Sequence, residues 1–324
     1  MRTSFFPKLI LSLLLLVGTF ASAQDLAAVD RVASAYPATF SSPEKLAEKV
    51  NSDFSSDVEK ARAIYTWIAK NVRYDLTEYR SNQGGKVAFS YRTPEEKERK
   101  LREYNLDLAN KTLRSKKGVC RGYTALYDRV AALSGLETIT IPGTSKSHPT
   151  HIGKLPTAAD HIWNAVKIDG QWKFIDVTWG SGSVDSETGK FVNRFNPGYF
   201  FTDPNVFFLN HFPDETKWLL TNKTAEEFAG LPLYSGEYIG SDYRITFPKS
   251  GILPSNYIIP FKVENLKTDK VAYALSSDNK IRFADVKRNG NITEFEVPLE
   301  KDASGYLTIF INRESVATYR IKKS

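Results

Sequence analysis

The stretch of sequence that decides the fold is HIWNAVKIDGQWKFIDVTW, residues 161–179. Its two apolar-rich runs flank Asp169-Gly170, a dipeptide that favours the tight two-residue turn of a β-hairpin. A two-residue loop at this point pairs residues whose numbers add up to 339, so that Trp163 lies opposite Asp176. The pattern therefore predicts an antiparallel hairpin over residues 161–179 with a defined register.

His161 and Asp176 fall on the same face of this predicted hairpin. Cross-strand partners and residues two positions apart share a face, which makes the two side chains diagonal neighbours about 7–8 Å apart at Cα. An imidazole and a carboxylate can close that distance, so Asp176 could orient His161 as the third member of a catalytic triad does. A three- or five-residue loop would place Asp176 on the other face, and ordinary strand-end hydrogen bonds are the structural alternative.

The chain has one cysteine, so it can form neither an internal disulfide nor a cysteine-rich zinc module. Cys120 precedes apolar positions such as Leu126 and Val130 at helical spacing, which predicts a helix that begins at the cysteine. The N–H groups and the dipole at a helix start favour a thiolate nucleophile. Gly122 is expected to leave the surface beside the sulfur open, and Gly118 to permit a sharp turn into the helix. A small buried side chain that only packs is the alternative.

A cysteine nucleophile needs a base, and the chain has four histidines. The hairpin register favours His161. His148 and His151 lie in a proline-broken loop predicted over residues 142–160. They could ligate a metal together with His161, although no dense set of carboxylate or thiolate partners accompanies them. His211 lies in an aromatic segment and is interpreted as structural.

Two capping boxes mark helix starts upstream of the cysteine. Ser56-Asp-Val-Glu59 predicts a largely buried helix that runs to about Asn71, and Thr93-Pro-Glu-Glu96 predicts a charged, solvent-facing helix over residues 94–108. Residues 92–121 contain ten basic and five acidic residues. This run is interpreted as a solvated helix face. The alternative is a basic rim beside the cysteine that favours acidic substrates or surfaces.

The first residues have the pattern of an export signal. Arg2 and Lys8 accompany an apolar run from Leu9 to Val17, and the small residues Ala21-Ser-Ala23 follow. The run is shorter than the about 20 residues that span a membrane. Residues 1–23 are therefore predicted to be a cleaved signal peptide that directs the protein to the periplasm or the outside. A lone cysteine in an exported protein indicates a reactive thiol or an intermolecular bridge.

The composition agrees with a globular protein of about two domains. The 324 residues are 41% hydrophobic and 25% charged, and the net charge of +7 is a mild excess that does not by itself indicate nucleic acid. After about Ser235, short apolar-rich runs alternate with turn signals such as Asn289-Gly290. The last run, Tyr306–Ile321, is predicted to form two strands that fold back near Arg313-Glu314. This spacing predicts an all-β sandwich over residues 236–324.

Several motifs together resemble the transglutaminase-like superfamily. They are a helix that ends in Tyr-Asp at residues 61–75, the nucleophile motif GVCRGYTALY at 118–127, and the strands HIWNAV at 161–166 and FIDVTW at 174–179. The order cysteine, histidine, aspartate also matches that family. The later stretches YFFTDP, HFP and WLL, between residues 199 and 220, resemble the kyphoscoliosis-peptidase-type branch of the superfamily and extend the likeness to about residue 233.

The resemblance implies an α+β, papain-like fold in which the nucleophile helix packs on an antiparallel sheet, with an enzyme domain at residues 24–235. It implies Cys120 as the nucleophile, His161 as the general base and acid, and Asp176 as the residue that orients the histidine. The backbone N–H of Cys120 is the expected oxyanion donor. The Tyr-Asp pair at residues 74–75 is expected to pack.

The expected chemistry is attack of the Cys120 thiolate on an amide carbonyl of a protein or peptide, with a thioester intermediate. Water then gives hydrolysis and an amine gives transamidation, and the same three residues serve both. No cofactor, metal or nucleic acid is expected, and the sandwich could bind a cell-surface or envelope partner. A catalytically inactive binding or scaffolding protein on the same fold is the alternative. The oligomeric state cannot be predicted from these patterns.

Overall fold

The computed structural model describes residues 25–81, 89–185, 188–255, 257–278 and 280–323. The predicted signal peptide, residues 1–23, lies outside these described residues. None of the helices within them is both long and apolar enough to cross a membrane. The described chain has an α+β architecture with ten α-helices and nineteen strands, so the predicted fold class is confirmed.

Six helices and a two-stranded parallel pair make up the first part of the chain. The helices are α1 (Leu26–Ser34), α2 (Pro43–Asp53), α3 (Asp57–Asn71), α4 (Leu76–Arg80), α5 (Pro94–Ser115) and α6 (Cys120–Leu133). The strands β1 (Arg73–Tyr74) and β2 (Lys117–Gly118) pair in parallel. Because β2 lies directly before α6, this pairing fixes the chain at the start of that helix.

The α3 helix is the central helix of this part. The Ser56 hydroxyl accepts the Glu59 N–H at 3.3 Å and the Glu59 carboxylate accepts the Ser56 N–H at 3.4 Å, which forms the predicted capping box. Residues 61–69 are all buried, because α1, α2 and α6 pack around them. The helix ends at Asn71, as predicted.

The α5 helix is longer than its sequence predicts. Thr93 caps its start by accepting the Glu96 N–H at 3.2 Å, but the helix continues past residue 108 to Ser115. The added turns pack against α6. Lys116 ends the helix in the left-handed conformation, with φ 54°. Glycine is the usual residue at that position, so the sequence contains no recognisable stop signal there.

A five-stranded antiparallel sheet packs against α6. Its strands are β3 (Thr138–Ser145), β4 (His161–Ile168), β5 (Gln171–Ile175), β8 (Phe200–Thr202) and β9 (His211–Pro213), in the spatial order β8-β5-β4-β3-β9. The elements between β5 and β9 include α7 (Val177–Ser181), the paired strands β6 (Gly182–Val184) and β7 (Phe191–Asn193), and α8 (Pro204–Phe207). Asn164 of β4 donates to Asp128 of α6 at 2.8 Å and so connects the helix to the sheet.

The β4–β5 hairpin has the predicted register. Asn164 pairs with Ile175, and their numbers add up to 339. Asp169 and Gly170 have φ values of 49° and 78°, which lie in the left-handed region that a two-residue type I′ turn requires at both positions.

The prediction of a loop over residues 142–160 is wrong for residues 142–145. The β3 strand runs on to Ser145, and Pro142 pairs with Ile162 of β4. The Pro142 carbonyl accepts the Asp214 N–H at 3.0 Å, so hydrogen bonding continues through the proline. The extension has a consequence for function, because residues 143–145 are the positions that pair with β9.

The C-terminal part forms two sheets. After α9 (Ala225–Gly230) come β10 (Leu233–Tyr234), α10 (Gly236–Ile239), β11 (Arg244–Phe247), β12 (Ile252–Pro254), β13 (Ile258–Glu264), β14 (Val271–Leu275), β15 (Arg282–Phe283), β16 (Lys287–Asn289), β17 (Ile292–Pro298), β18 (Gly305–Ile311) and β19 (Glu314–Lys322). One sheet has the order β10-β19-β18-β14-β15, with β12 also paired to β19, and the other has the order β11-β13-β17-β16.

The two sheets pack on each other through aromatic side chains. Phe261 of β13 stacks on Phe295 of β17 with ring centroids 4.8 Å apart, and it meets Tyr319 of β19 edge-on at 5.5 Å. The β18–β19 hairpin turns through Asn312 and Arg313, both with positive φ. The predicted β-sandwich and the predicted position of its last turn are therefore confirmed.

Backbone pairing connects the two parts across the predicted boundary at residue 235. The β10 strand lies before this boundary and pairs with β19. Arg194 lies 3.3 Å from Glu237 and 3.2 Å from Glu314, although exposed ion pairs of this kind contribute little stability. The division of the chain at residue 235 stays a prediction.

Candidate active site

Cys120 is the first residue of α6, where the sequence predicts it. Gly118, two residues earlier, pairs with Tyr74 of β1, and its carbonyl accepts the Asp75 N–H at 3.0 Å. The first N–H groups of a helix have no acceptor within the helix, and the thiol is partly exposed. A carbonyl group can therefore approach the sulfur and the N–H groups of the helix start together.

The Tyr-Asp pair lies beside the cysteine and makes structural contacts. Asp75 caps α4 by accepting the N–H groups of Thr77 and Glu78, each at 3.0 Å. Tyr74 packs against the ring of Phe191, with centroids 6.2 Å apart. Burial, followed by the nearby Cys120, raises the pKa of Tyr74 far above its usual value, so its hydroxyl stays protonated.

Gly122 does not have the predicted role of leaving space for a substrate. It is buried in the contact between α5 and α6. A Cβ atom there would lie 2.6 Å from Oγ1 of Thr112, a separation that side chains do not adopt without a shift. Gly122 therefore allows the two helices to approach closely. Gly118 shows no left-handed φ, so its backbone does not require glycine for a sharp turn.

His161 is the first residue of β4, and its ring lies directly beside Asp176. Nε2 of the imidazole is 2.7 Å from Oδ2 of the carboxylate. Both side chains are buried, with 7% and 1% of their surfaces exposed. The structure thus brings these two residues together, as the hairpin register predicts.

Asp176 reaches His161 in a different way from the one predicted. The strand β5 ends at Ile175, whereas the hairpin was predicted to reach Trp179. Asp176 instead caps α7, because its Oδ1 accepts the Trp179 N–H at 2.9 Å. Its other oxygen is left for His161. Burial raises the pKa of this carboxyl, but the charge of His161 and the hydrogen bonds from His161 and His211 outweigh burial and hold the pKa far below its usual range.

Cys120 and His161 lie close enough to interact. Burial disfavours a charged imidazole, but the charge and hydrogen bond of Asp176, together with a hydrogen bond to the Cys120 thiol, raise the pKa of His161 to about 10. Because Nε2 is the atom that contacts Asp176, Nδ1 is the ring nitrogen available to the sulfur. The same imidazole therefore contacts the carboxylate and interacts with the thiol.

His211 is the residue of this site that spacing and periodicity do not predict. Its Nε2 lies 2.9 Å from Oδ2 of Asp176, the same oxygen that contacts His161. The residue is 1% exposed. It reaches the site because β9 pairs with the extended end of β3, where His211 lies opposite Ser145. The interpretation of His211 as structural is therefore incomplete, and no local pattern in the sequence indicates this long-range pairing.

Aromatic rings enclose the two histidines. Trp179 lies 5.4 Å from His161 and 4.7 Å from His211, measured between ring centroids. Phe207 stacks on His211 at 4.0 Å, and Trp163 meets it edge-on at 5.0 Å. These rings keep water from the carboxylate, which strengthens its electrostatic interactions with the imidazoles.

His161, Asp176 and His211 are the one group among the described residues with the spacing of metal ligands. Neither His148 nor His151 belongs to it, so the alternative of a metal on His148, His151 and His161 is not supported. A tetrahedral zinc ion about 2.1 Å from each ligand would keep the ligand atoms roughly 3.4 Å apart. The observed separations from the carboxylate oxygen, 2.7 and 2.9 Å, are those of hydrogen bonds.

Three basic residues of the run upstream of the cysteine pair with acidic side chains on their own helix. Along α5, three ion pairs follow helical i,i+4 spacing, namely Lys100 with Glu96, Arg102 with Glu98 and Arg99 with Glu103. This arrangement agrees with the interpretation of the run as a solvated face.

Comparison with known proteins assigns this region to a family. Residues 44–177 match the model of the transglutaminase-like superfamily. This match contains Cys120, His161 and Asp176, and it ends within one residue of the aspartate.

The kyphoscoliosis peptidase of Mus musculus is 28% identical over 247 residues, which cover 75% of this chain and 34% of the peptidase. The Lim and transglutaminase domain protein ltd-1 of Caenorhabditis elegans is 26% identical over 310 residues, which cover 85% of this chain and 39% of that protein. The chain thus spans little more than a third of the length of these curated relatives.

A solved structure described as a TGase is 17% identical, with a TM-score of 0.30, and the match covers 57% of this chain and 40% of that one. The family model and the curated relatives confirm the resemblance that the motifs indicate. Residues 44–177 therefore form a transglutaminase-like domain, and the chain is similar to the kyphoscoliosis peptidase over three quarters of its length.

Proposed function

We propose that the protein is a cysteine acyl-transfer enzyme that acts on amide bonds of proteins or peptides. Cys120 is its nucleophile, His161 its general base and acid, and Asp176 the residue that orients the histidine. The observation that carries the proposal is the His161 imidazole, which lies 2.7 Å from the Asp176 carboxylate and whose pKa is raised in part by its interaction with the Cys120 thiol at the start of α6.

The protonation states of these three groups suit a thiol nucleophile. Asp176 stays ionised and accepts a hydrogen bond from Nε2–H of His161, which leaves Nδ1 available to the sulfur. Because the pKa of His161 is raised to about 10, the imidazolium persists at neutral pH. A positive ring beside the sulfur stabilises a thiolate by ion pairing, which is the form that attacks carbonyl groups.

In the first half of the reaction, the thiolate of Cys120 forms a bond to the carbonyl carbon of the amide. The negative charge moves to the carbonyl oxygen, where the N–H groups at the start of α6 can stabilise it. The proton on Nδ1 of His161 passes to the amide nitrogen, the C–N bond breaks, and the amine leaves. The acyl group remains on Cys120 as a thioester.

In the second half, neutral His161 accepts a proton from water or from an amine as that molecule attacks the thioester. The C–S bond breaks, the thiolate is restored, and the imidazolium forms again. Water gives an acid and completes hydrolysis, whereas an amine gives a new amide and completes transamidation. Relatives named as a peptidase and as a transglutaminase-domain protein are consistent with either outcome.

We also propose that the protein is exported. The basic residues, the apolar run and the small residues within 1–23 support this proposal. Amino-terminal sequencing of the protein from its native host tests it. A mature chain that begins near Gln24 supports export, and a chain that retains Leu9–Val17 contradicts it.

Alkylation by iodoacetamide near neutral pH tests the triad, because Cys120 is the only thiol in the chain. Wild-type protein is expected to react faster than a free thiol, and His161→Ala to slow the reaction greatly. His148→Ala is the matched control, because it removes an exposed histidine from the same part of the chain. Alkylation at the rate of a free thiol, unchanged in His161→Ala, would favour the inactive scaffold instead.

Mass spectrometry identifies the reaction itself. Wild type and Cys120→Ala are incubated with the same protein mixture, with and without an added primary amine. New termini that depend on Cys120 indicate a peptidase, and deamidated glutamines indicate hydrolysis of side-chain amides. Crosslinked or amine-labelled glutamines indicate transamidation. Identical product lists from the two proteins would contradict the proposed function.

A further inference from the structure

Asp176 is shared by two imidazoles, which a three-residue triad does not require. Nε2 of His161 lies 2.7 Å and Nε2 of His211 lies 2.9 Å from the same atom, Oδ2. The Trp179 N–H donates to Oδ1 at 2.9 Å. An ionised carboxylate only accepts hydrogen bonds, so both imidazoles must carry a proton on Nε2. Asp176 is thus an anion with three donors.

The two imidazoles differ in charge because their surroundings differ. His161 lies beside the thiol of Cys120, and its pKa is raised. His211 is stacked on Phe207 and enclosed by aromatic rings, and burial lowers its pKa in spite of Asp176. His211 therefore donates to the carboxylate as a neutral ring. It orients the oxygen without competing with His161 for the negative charge.

His211 is itself held by a closed ring of hydrogen bonds. Its Nδ1 lies 2.7 Å from Oδ1 of Asn210, whose Nδ2 lies 3.1 Å from the Tyr199 hydroxyl. The Tyr199 carbonyl accepts the backbone N–H of Asp176 at 3.0 Å, which closes the ring. In this placement Oδ1 of Asn210 faces Nδ1 of His211 and Nδ2 donates to the Tyr199 hydroxyl. A neutral His211 with its proton on Nε2 must accept at Nδ1, which requires the Asn210 amide to be rotated by 180°, with Nδ2 toward His211 and Oδ1 toward Tyr199. Asn210, His211 and Tyr199 are all buried.

We propose that His211 is a positioning residue for the acyl-transfer reaction. It holds the Asp176 oxygen that orients His161, and through that oxygen it sets the direction of the His161 ring toward Cys120. This inference rests on the proposed function and adds to it a fourth side chain, which touches neither the substrate nor the sulfur.

Two substitutions separate the hydrogen bond of His211 from its volume. His211→Phe keeps a flat ring among the aromatic neighbours but removes the donor. His211→Gln places an amide N–H near the position of Nε2. Phe212→Leu is the matched control, because it alters a neighbouring buried residue on β9 that does not contact Asp176. Thermal unfolding is measured for each variant to establish that it is folded.

The first readout is the rate of Cys120 alkylation by iodoacetamide. His211→Phe is expected to slow it about 10-fold, the size of effect seen when a hydrogen bond that orients a metal-binding side chain is removed. His211→Gln is expected to restore most of the rate, and Phe212→Leu to leave it unchanged at a similar loss of stability. Folded His211→Phe that reacts like wild type would overturn the inference. Equal slowing in all three variants would overturn it too, because it would indicate a general packing effect.

The second readout does not depend on reactivity. Imidazole nitrogen NMR of the Cys120→Ala protein is expected to show a neutral His211 with its proton on Nε2. Adding His211→Phe is expected to shift the Nε2–H signal of His161, and adding His211→Gln to return it toward its original position. A charged His211, or a His161 signal that ignores both changes, would overturn the inference. If wild-type Cys120 proves unreactive while these shifts appear, the proposed function fails but the contact between His211 and the Asp176–His161 pair remains.

Discussion

The two regions of the described chain bury different kinds of side chain. Fifteen polar or charged residues are buried within residues 25–235, but only Ser255 and Thr293 within residues 236–323. All five of the buried Arg, Lys, His and Asp residues lie in the first region, at positions 62, 146, 161, 176 and 211. The sandwich instead has a core of apolar and aromatic side chains such as Phe261 and Val297.

This difference indicates where function constrains the fold. A buried charge is costly unless it has a partner, and each one in the first region has at least one. Arg62 holds Asp30 with two hydrogen bonds, at 2.8 and 2.7 Å, and the Lys146 ammonium donates to the Leu231 carbonyl at 2.9 Å. Loss of one partner should therefore destabilise the first region, and at Asp176 it should also impair the proposed reaction. In the sandwich, loss of volume should affect stability alone.

The largest effect is expected from Asp176→Asn. The amide keeps the shape of the carboxylate but loses the charge that holds His161 in its Nε2–H form, so amide turnover should fall about 10³–10⁴-fold. Turnover is followed by mass spectrometry on the product identified for wild type. Asp128→Asn is the matched control, because Asp128 is a carboxylate on α6 that bonds Asn164 outside the site. Comparable activity of Asp176→Asn and wild type would end the argument that the buried charges serve the reaction.

Phe261→Ala tests the other region, the sandwich, where loss of volume should affect stability alone. This ring is fully buried between the two sheets, and its removal leaves a cavity that should cost about 3–5 kcal/mol of unfolding free energy. Chemical denaturation measures that loss, and the alkylation rate of Cys120 in the folded variant should not change. Phe283→Ala is the control, because its side chain is 82% exposed and its removal should cost no more than about 0.5 kcal/mol. Slower alkylation of Cys120 in folded Phe261→Ala would mean that the sandwich supports the site directly.

The parts of the molecule that the sequence predicts are those that local signals control. The Asp169-Gly170 turn determines the hairpin register, and the hairpin leads Asp176 toward His161, although Asp176 itself lies beyond β5 as the cap of α7. The capping box at Ser56 and the helix start at Cys120 are equally local, and the structure contains both. The family motifs add the order of the three residues along the chain.

The parts that it does not predict depend on contacts between distant segments. His211 is 35 residues from Asp176 in sequence, and only the pairing of β9 with β3 brings them together. Gly122 looks like an open surface beside a cysteine until α5 is placed against it, because the nearest atom to a Cβ there belongs to Thr112. The end of α5 is missed for a local reason. The helix stops at a lysine in the left-handed conformation, where glycine is the usual signal in a sequence.

Gly122→Ala examines that helix contact and should have an intermediate effect. The added methyl group would lie 2.6 Å from Oγ1 of Thr112, and overpacking of this kind costs about 1–3 kcal/mol. Thr112→Ala removes the obstructing atom, so the double variant should regain part of the loss measured by denaturation. Gly230→Ala is the control, because no atom lies within 4 Å of its added methyl group. If Gly122→Ala retains full stability but hinders large alkylating reagents, the predicted role in substrate access is right after all.

The smallest effect, and the most specific to the buried charges, is a change of stability with pH. The folded protein raises the pKa of His161 from 6.5 to about 10, so the stability it contributes is complete below about pH 6.5 and is lost as the pH rises toward 10. Between pH 7 and 9 the loss should be about 1 kcal/mol per pH unit. Lys146 opposes this slope, because burial lowers its pKa to about 7, whereas Asp176 stays ionised throughout this interval.

Denaturation of wild type and His161→Gln at pH 7, 8 and 9 isolates the histidine, since the Lys146 contribution is common to both proteins. The difference between them should shrink as the pH rises, and Val297→Ala in the sandwich should keep the wild-type slope. A constant difference between wild type and His161→Gln would show that His161 is not held in its charged form by Asp176.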